Sequence, residues 1–369
     1  MKLHVIFIGN KFAYNKSLQA YVLRKIEQKV DFIDTITYIK ESDNSLFLYL
    51  EEELNSYTKL IIITTKQTYA TVGKLISTTT QDNLVLKNGF LIPQKATLFQ
   101  ERSYLLEYEE SITNVLQVDE GEKMPEVLMY ETSSHAICHV FDEEKETTLA
   151  ILNPIAQSFE VQLTVVEKVS GWLKIDIISN KYGNISKFTD SAKQLLPTNL
   201  IVTSHIMAHI IQRLEAVGKK VTFAESCTGG LLAYYFTKNN GASNVFDGSL
   251  VTYSNSLKEN WLAVSADSLE SFGAVSSEVV SEMSDGALNV SDAAYALSVS
   301  GIAGDGGGSE LKPVGTVHIG VRTQNKHTEE HLVFHGDRNY VQHQSALYAI
   351  KMLLLADKTT FFSICMKTS

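Results

Sequence analysis

The sequence has few of the features that mark secreted, membrane-spanning or nucleic-acid-binding chains. Its 369 residues include only three cysteines, Cys138, Cys227 and Cys365, and their odd number and wide spacing argue against a disulfide framework. No apolar run approaches the ~18–20 residues of a membrane span, and the N-terminal apolar stretch is too short for a signal peptide. Acidic residues (42) outnumber Lys plus Arg (32), which argues against a broad nucleic-acid surface. We therefore expect a cytoplasmic protein without membrane or direct nucleic-acid contact.

Glycine and proline are distributed unevenly along the chain. Fifteen of the 21 glycines follow residue 200, whereas four of the five prolines precede it. Glycine is required where the backbone takes a positive φ or approaches a ligand closely, so the second half is where we expect the chemistry. Hydrophobic residues at 44% and charged residues at 20% are typical of a globular protein.

Hydrophobic periodicity predicts an α/β fold with two α/β domains. Strand-like and helix-like segments alternate in the first half, which favours βαβ units on a parallel-rich sheet. The strands are predicted at residues 5–8, 32–39, 59–65, 136–141, 148–152 and 172–178, and the first helices at residues 18–26 and 46–54. We predict an N-terminal domain over residues 1–165, a short connector or reduced middle subdomain over 166–198, and a C-terminal α/β sandwich over 199–369.

Two polar segments follow strand-like runs in the second half. Ser226 stands in a turn between the strand-like run 221–224 and the helical run 231–236, where exposed backbone N–H groups suit a nucleophile and an oxyanion hole. The alternative is that these residues only cap the helix. Tyr253 and Lys258 follow the next strand, and a desolvated lysine can accept a serine proton. Alternatively, Lys258 is a solvated surface residue.

A third segment, residues 296–308, is a small-residue strand that runs into a glycine-rich loop. Backbone N–H groups of such a loop can surround phosphate oxygens, although a mobile turn has the same composition. Arg338 offers a planar fork for an anion, and a structural salt bridge to Asp337 is the alternative.

Taken together, these segments resemble the C-terminal domain of the competence/damage-inducible CinA family over about residues 203–357. The resemblance is carried by the following strings: Ala224–Gly230, Tyr253–Asn255 with Lys258, Gly273–Ser276, Ser300–Gly304, Lys312–Gly320 and Gly336–Arg338. It implies an amidohydrolase that converts nicotinamide mononucleotide to nicotinic acid mononucleotide and ammonia, without a metal or other cofactor. The alternative is a non-catalytic nucleotide-binding or interaction protein linked to competence or DNA damage. A penicillin-binding-type acyltransferase, suggested by Tyr253-x-Asn255, is a weaker idea, because Ser226 does not open a Ser-x-x-Lys motif: the residue three positions later is Gly229.

The resemblance also implies the residues of the site. Ser226 resembles the family nucleophile, Lys258 its base and Tyr253 its helper. The substrate-binding set implied by the match is Cys227, Thr228, Gly229, Gly230, Asn255, Ser300, Gly301, Gly304 and Arg338. The chain departs from the family at four positions, where the family usually has the residue given in parentheses: Ser249 (glycine), Ser300 (threonine), Asp305 (proline) and Gln342 (a second arginine).

The N-terminal half resembles a degenerate form of the other CinA module, the molybdopterin-binding-like domain. The segments that carry the resemblance are Ile8–Asn10 and the run 61–64. After Thr64 the family pattern requires a glycine-rich turn and paired aspartates, and the residues at 65–73 supply neither. Because a pyrophosphate needs a metal held by carboxylates or a nest of glycine amides, we predict no metal-dependent ADP-ribose hydrolysis here. We expect this half to serve as an oligomerisation scaffold in a homodimer.

Two histidine groups have spacings that invite comparison with metal sites. His135, Cys138 and His139 fall on a predicted strand, with the histidines on one face and the cysteine on the other. His205 and His209 are four residues apart on a predicted helix, without the glutamate of a zinc hydrolase motif. We assign a metal to neither group.

Overall fold

The structure is a computed structural model that describes residues 2–30, 32–56, 59–129, 135–179, 182–304 and 306–362. The chain divides into two compact units, Met1–Ser133 and Ser134–Ser369. Among the described residues no helix is long and apolar enough to cross a bilayer.

The first unit is built on a six-stranded mixed sheet. Its parallel part has the strand order β2-β1-β3-β8, to which β7 and β6 are added antiparallel. A separate hairpin is formed by β4 and β5. The strands are β1 (Leu3–Ile8), β2 (Thr35–Ile39), β3 (Lys59–Thr64), β4 (Leu84–Lys87), β5 (Phe90–Pro93), β6 (Leu98–Gln100), β7 (Ser103–Tyr108) and β8 (Ser111–Gln117), and the helices are α1 (Asn10–Tyr14), α2 (Lys16–Ile26), α3 (Leu46–Leu54) and α4 (Tyr69–Thr79).

The βαβ pattern predicted for this unit is confirmed. The central strands β1 and β3 are buried along their lengths because helices cover both faces of the sheet. One core cluster contains Val22 and Ile26 of α2, and the other contains Leu50 of α3 and Val72 of α4.

The second unit begins with a four-stranded antiparallel sheet of order β10-β11-β9-β12. Its elements are β9 (His135–Phe141), α5 (Lys145–Ser158), β10 (Val161–Val169), β11 (Trp172–Ser179), α6 (Ile185–Leu195) and β12 (Leu200–Val202). The strand predicted at 148–152 is wrong, since these residues lie in α5. Thr148, Leu152 and Ala156 recur every four residues and form the buried face of that helix.

The segment 166–198, predicted as a short connector or reduced middle subdomain, contains the end of β10 and the whole of β11 and α6. The proposed boundary at residue 165 falls inside β10, so residues on both sides of it share one set of strand pairings. The domain boundaries stay predictions.

The remainder of the second unit contains a five-stranded sheet of order β14-β13-β15-β16-β17. The first three strands are parallel, and β16 and β17 are antiparallel. The strands are β13 (Val221–Glu225), β14 (Phe246–Val251), β15 (Tyr295–Gly301), β16 (Thr316–Thr323) and β17 (His327–Val333). The helices are α7 (Ile206–Ala216), α8 (Leu231–Thr237), α9 (Ala242–Val245), α10 (Asn255–Leu262), α11 (Ala266–Phe272), α12 (Ser277–Asn289), α13 (Arg338–Ala356) and α14 (Lys358–Phe362).

Helices cover both faces of this sheet. On one face α7, α8, α13 and α14 enclose a core that includes Phe223 and Leu353, and this core continues to Trp172 of the four-stranded sheet. On the other face α10, α11 and α12 pack over Ala224 and Ala296. The layered α/β arrangement confirms the predicted fold class, and it leaves the carboxyl edge of three parallel strands open for a site.

Candidate active site

The three polar segments singled out in the sequence meet at one edge of the five-stranded sheet. β13, β14 and β15 are adjacent and parallel, and they end at Glu225, Val251 and Gly301. The segment after each strand therefore emerges at the same edge, as is general for ligand sites in open α/β sheets.

Ser226 and Lys258 lie within hydrogen-bonding distance of each other although they are 32 residues apart. Lys258 Nζ donates to Ser226 Oγ at 3.0 Å and to the carbonyl oxygen of Thr252 at 2.8 Å. Ser226 is held in turn by its own N–H, which donates to the carbonyl oxygen of Val299 in the neighbouring strand. Two strand ends and the start of α10 thus fix the positions of the hydroxyl and the amine.

Lys258 is buried rather than solvated. This residue of α10 is 1% exposed, on the buried side of the helix. Desolvation disfavours the ammonium form and lowers the pKa of Lys258 below its ordinary 10.5. A larger fraction of the amine is therefore unprotonated near neutral pH, which is the form able to accept a proton from Ser226.

The turn after Ser226 is tight and supplies backbone donors. Gly229 and Gly230 adopt positive φ values of 60° and 101°, which glycine tolerates best. The N–H of Gly229 is bonded to the Ser226 carbonyl, and that of Gly230 to the Glu225 carboxylate. Of the donors predicted at 227–230, Cys227 and Thr228 are the two whose N–H groups bond to no other residue in the described part of the chain, so these two can serve a substrate oxygen.

Cys227 itself is a packing residue. Its side chain is buried, and burial raises the pKa of the thiol to about 12, which keeps it in the unreactive protonated form. A Cβ added at Gly301 would lie 3.0 Å from its Sγ, so glycine at 301 allows β15 to pass this close to the turn. The hydroxyl of Thr228 is buried without a hydrogen-bond partner in the described part of the chain.

Tyr253 and Asn255 flank the entrance of the site. Tyr253 is 63% exposed, and its hydroxyl forms no hydrogen bond with Ser226 or Lys258. Asn255 is exposed at the start of α10. Ser300 is buried, and its hydroxyl donates to the Ala274 carbonyl at 2.6 Å. Ser300 therefore anchors the segment before α12. Its hydroxyl hydrogen is used in that bond and is not available to donate to a substrate.

Arg338 lies over the glycine-rich loop. A Cβ added at Gly304 would overlap the Arg338 guanidinium, so the arginine could keep this position over the loop only while residue 304 is glycine, and would otherwise have to shift. Gly304, Gly306, Gly307 and Arg338 line an open cleft of about 390 Å³ that reaches Gly301. Asp337, the residue with which Arg338 could have formed a salt bridge, instead caps α13: its Oδ1 accepts the N–H of Tyr340 at 2.8 Å. Asp305, the loop residue that departs from the family pattern, lies outside the described residues.

Comparisons with known proteins find a family match in the C-terminal half of the chain. The family model described as the CinA C-terminal domain matches residues 203–356. Residues 203–356 belong to the CinA family. A CinA-like protein of Fervidobacterium nodosum is 48% identical over 133 residues, 36% of this chain and 33% of its own length. A CinA-like protein of Thermotoga neapolitana is 43% identical over 148 residues, 40% of this chain and 36% of its own length.

Among solved structures, the competence/damage inducible protein CihA from Agrobacterium tumefaciens is 38% identical. The match covers 41% of this chain and 93% of that chain, with a TM-score of 0.41. The aligned part of this chain spans about a third of the length of the first curated relatives it matches. The likeness of the N-terminal half to a molybdopterin-binding-like domain stays a prediction.

Two departures from the CinA pattern contact the residues on either side of Ser226. Ser249 Oγ donates to Glu225 Oε1 at 2.8 Å, and Gln342 Nε2 donates to the Cys227 carbonyl at 2.7 Å. The sequence alone predicts no role for either position, or for Glu225. The one sequence signal for Glu225 is an acidic residue directly after the strand-like run 221–224.

The histidine groups singled out in the sequence have structural contacts instead. Cys138 is buried in a hydrophobic core, and His139 accepts a hydrogen bond from Trp172 Nε1 at 3.0 Å. His209 Nε2 contacts the Phe361 carbonyl at 2.8 Å. No cluster of three or more metal-ligating side chains is found in the part of the chain that the structure describes.

The carboxyl edge of the N-terminal sheet carries an internal ion pair. Lys11 Nζ lies 2.6 Å from Asp119 Oδ1, and Gln117 Nε2 donates to Asp119 Oδ2 at 3.0 Å. At the end of β3, Thr65 and Thr68 bond each other and the local backbone. The carboxylate at this edge is therefore neutralised by a lysine of the same chain.

Proposed function

We propose that the CinA domain of this chain is an amidohydrolase that releases ammonia from nicotinamide mononucleotide and leaves nicotinic acid mononucleotide. The observation that carries the proposal is the buried 3.0 Å contact between Ser226 Oγ and Lys258 Nζ. A serine becomes a nucleophile when an adjacent base takes its proton, and a desolvated lysine meets that requirement.

In the proposed reaction the unprotonated Lys258 accepts the Ser226 proton as Oγ attacks the carboxamide carbon. The carbonyl oxygen becomes an oxyanion that the N–H groups of Cys227 and Thr228 stabilise. Collapse of this intermediate breaks the C–N bond, and the proton held by Lys258 passes to the departing nitrogen, giving ammonia and an acyl-serine. Water then hydrolyses the ester, again with Lys258 as base.

Tyr253 is the proposed helper in proton delivery. Its exposed ring at the entrance favours contact with substrate rather than with the dyad of the free protein. Catalytic hydrogen bonds often form only in the complex, so the role is compatible with a hydroxyl that does not contact Ser226.

The phosphate of the substrate is proposed to bind in the cleft over the glycine-rich loop. The chain carries a net charge of −10, so an anionic ligand needs a local source of positive potential. Arg338 has no ion pair or hydrogen bond among the described residues and lies against Gly304 with its fork available for phosphate oxygens.

The proposal is tested by measuring ammonia release from nicotinamide mononucleotide with Ser226→Ala, Lys258→Ala and the double variant. Each single change is expected to abolish turnover, and the double variant to lose little more, because residues of one catalytic unit act non-additively. Ser291→Ala is a matched control, since among the described residues that hydroxyl bonds only to α12 carbonyls. Wild-type turnover by Ser226→Ala would refute the nucleophile assignment, and binding without ammonia release by the parent would favour the non-catalytic alternative.

A further inference from the structure

Glu225 is a fully buried acidic residue directly before the proposed nucleophile. Its Oε2 accepts the N–H groups of Gly230 and Leu232, both at 3.0 Å. Its Oε1 accepts the N–H of Ala233 at 3.0 Å and the hydroxyl of Ser249 at 2.8 Å. All four partners are donors, so the side chain acts as an acceptor on both oxygens, as an ionised carboxylate does.

These contacts connect the two ends of the nucleophile turn. The backbone of Glu225 belongs to β13, and its carbonyl accepts the N–H of Thr252 at 2.9 Å. Its side chain reaches forward to the first residues of α8, five to eight positions along the chain. The residues between, 226–229, therefore form a loop whose start and finish are fixed by one side chain.

The same contacts decide which donors remain for a substrate. The N–H groups of Gly230, Leu232 and Ala233 are used by Glu225, and that of Leu231 donates to the Thr228 carbonyl. The carboxylate also offsets the positive end of α8. The N–H groups of residues 227 and 228 are then the ones left to stabilise an oxyanion beside Ser226. The start of α8 offers no free N–H group that could bind a substrate phosphate.

We propose that Glu225, with Ser249 as its side-chain donor, is a positioning residue that holds Ser226 and the two free N–H groups in their reactive arrangement. The inference rests on the proposed amidohydrolase function. Because Glu225 has no exposed surface, it acts through the turn and not by touching substrate.

The test uses Glu225→Gln and Ser249→Ala in the full chain, with Ser291→Ala as the control. Glutamine has the same length, but its amino group cannot accept, so at least one backbone N–H of α8 loses its acceptor. We expect kcat for ammonia release to fall by about 10²-fold with KM changed less than about twofold, since small displacements of reacting groups have effects of that size. Ser249→Ala is expected to lower kcat by about threefold to tenfold, and to have no further effect in the Glu225→Gln background.

Backbone hydrogen exchange gives a second readout that does not require turnover. The N–H groups of Gly230, Leu232 and Ala233, which Glu225 binds, should exchange faster in Glu225→Gln, whereas β15 and β16 should exchange as in the parent. The proposal is overturned if exchange in the turn is unchanged, or if it rises while kcat stays at the parent value. A parent protein without ammonia release would refute the proposed function, and exchange alone would then decide whether Glu225 orders the turn.

Discussion

Replacing Lys258 by methionine tests the buried-base assignment through stability as well as through activity. Methionine is close in shape to the lysine stem, and Lys258 is 1% exposed. Burial lowers the pKa of Lys258 from its ordinary 10.5. Between that lowered pKa and 10.5, the unfolded chain binds one more proton than the folded chain does. The free energy of unfolding of the parent therefore rises with pH in this window, by up to about 1.4 kcal/mol per pH unit.

The Lys258→Met variant lacks this dependence. Below the lowered pKa the lysine is protonated in both states, so the difference between parent and variant is constant there. Above it, the difference moves in favour of the parent as the pH rises toward 10.5. At neutral pH we expect the variant to be at least as stable as the parent, because no buried amine has to be neutralised. Ammonia release should fall by about 10²- to 10⁴-fold, the usual contribution of a general base.

The measurement is urea unfolding of parent and variant at several pH values from 7 to about 10.5, the ordinary lysine pKa, with the parent-minus-variant difference taken at each pH so that other groups cancel. Lys351→Met is the matched control. Lys351 is also buried, its pKa is also lowered by desolvation, and its Nζ donates to the Ser170 carbonyl at 2.8 Å. That control should show the same kind of pH dependence and keep full turnover. A pH-independent difference for Lys258→Met, or turnover retained by it, would refute the assignment.

Three further outcomes are expected. Arg338→Ala should raise KM for nicotinamide mononucleotide about tenfold to a hundredfold and leave nicotinamide riboside, which has no phosphate, unaffected; equal impairment of both substrates would make the residue structural. Burial lowers the pKa of His139 from 6.5 to about 4, so the parent should lose up to about 3 kcal/mol of stability as the pH falls through that window. Asparagine keeps an acceptor for Trp172 but does not titrate in this range. Urea unfolding at pH 7 and 4.5 should therefore show that His139→Asn loses less unfolding free energy between these two pH values than the parent does. The N-terminal unit, with Asp119 paired to Lys11, should release no ribose 5-phosphate from ADP-ribose with a divalent metal, and an EDTA-sensitive release would contradict this.

Local patterns in the sequence were sufficient for most of the fold. Period-two and continuous apolar runs identified β1, β3, β13 and β15, because a strand in a covered sheet must bury nearly every side chain. The same reasoning failed at 148–152, where β-branched and aliphatic residues resemble a strand over five positions. The helix spacing of Thr148, Leu152 and Ala156 becomes visible only over three turns.

The sequence by itself also determined the chemistry available at the candidate site, since a serine, a lysine and a glycine-rich loop each follow a predicted strand. Tertiary structure decided what these groups can do. Lys258 becomes a candidate base because the packing of α10 against the sheet buries this residue beside Ser226, and no local pattern states how far a side chain is desolvated. From the sequence alone, Glu225 could equally be an acidic residue at the protein surface. Its four donors come from α8 and from Ser249 on the adjacent strand, and only the packing of the helix and strands brings them to one carboxylate.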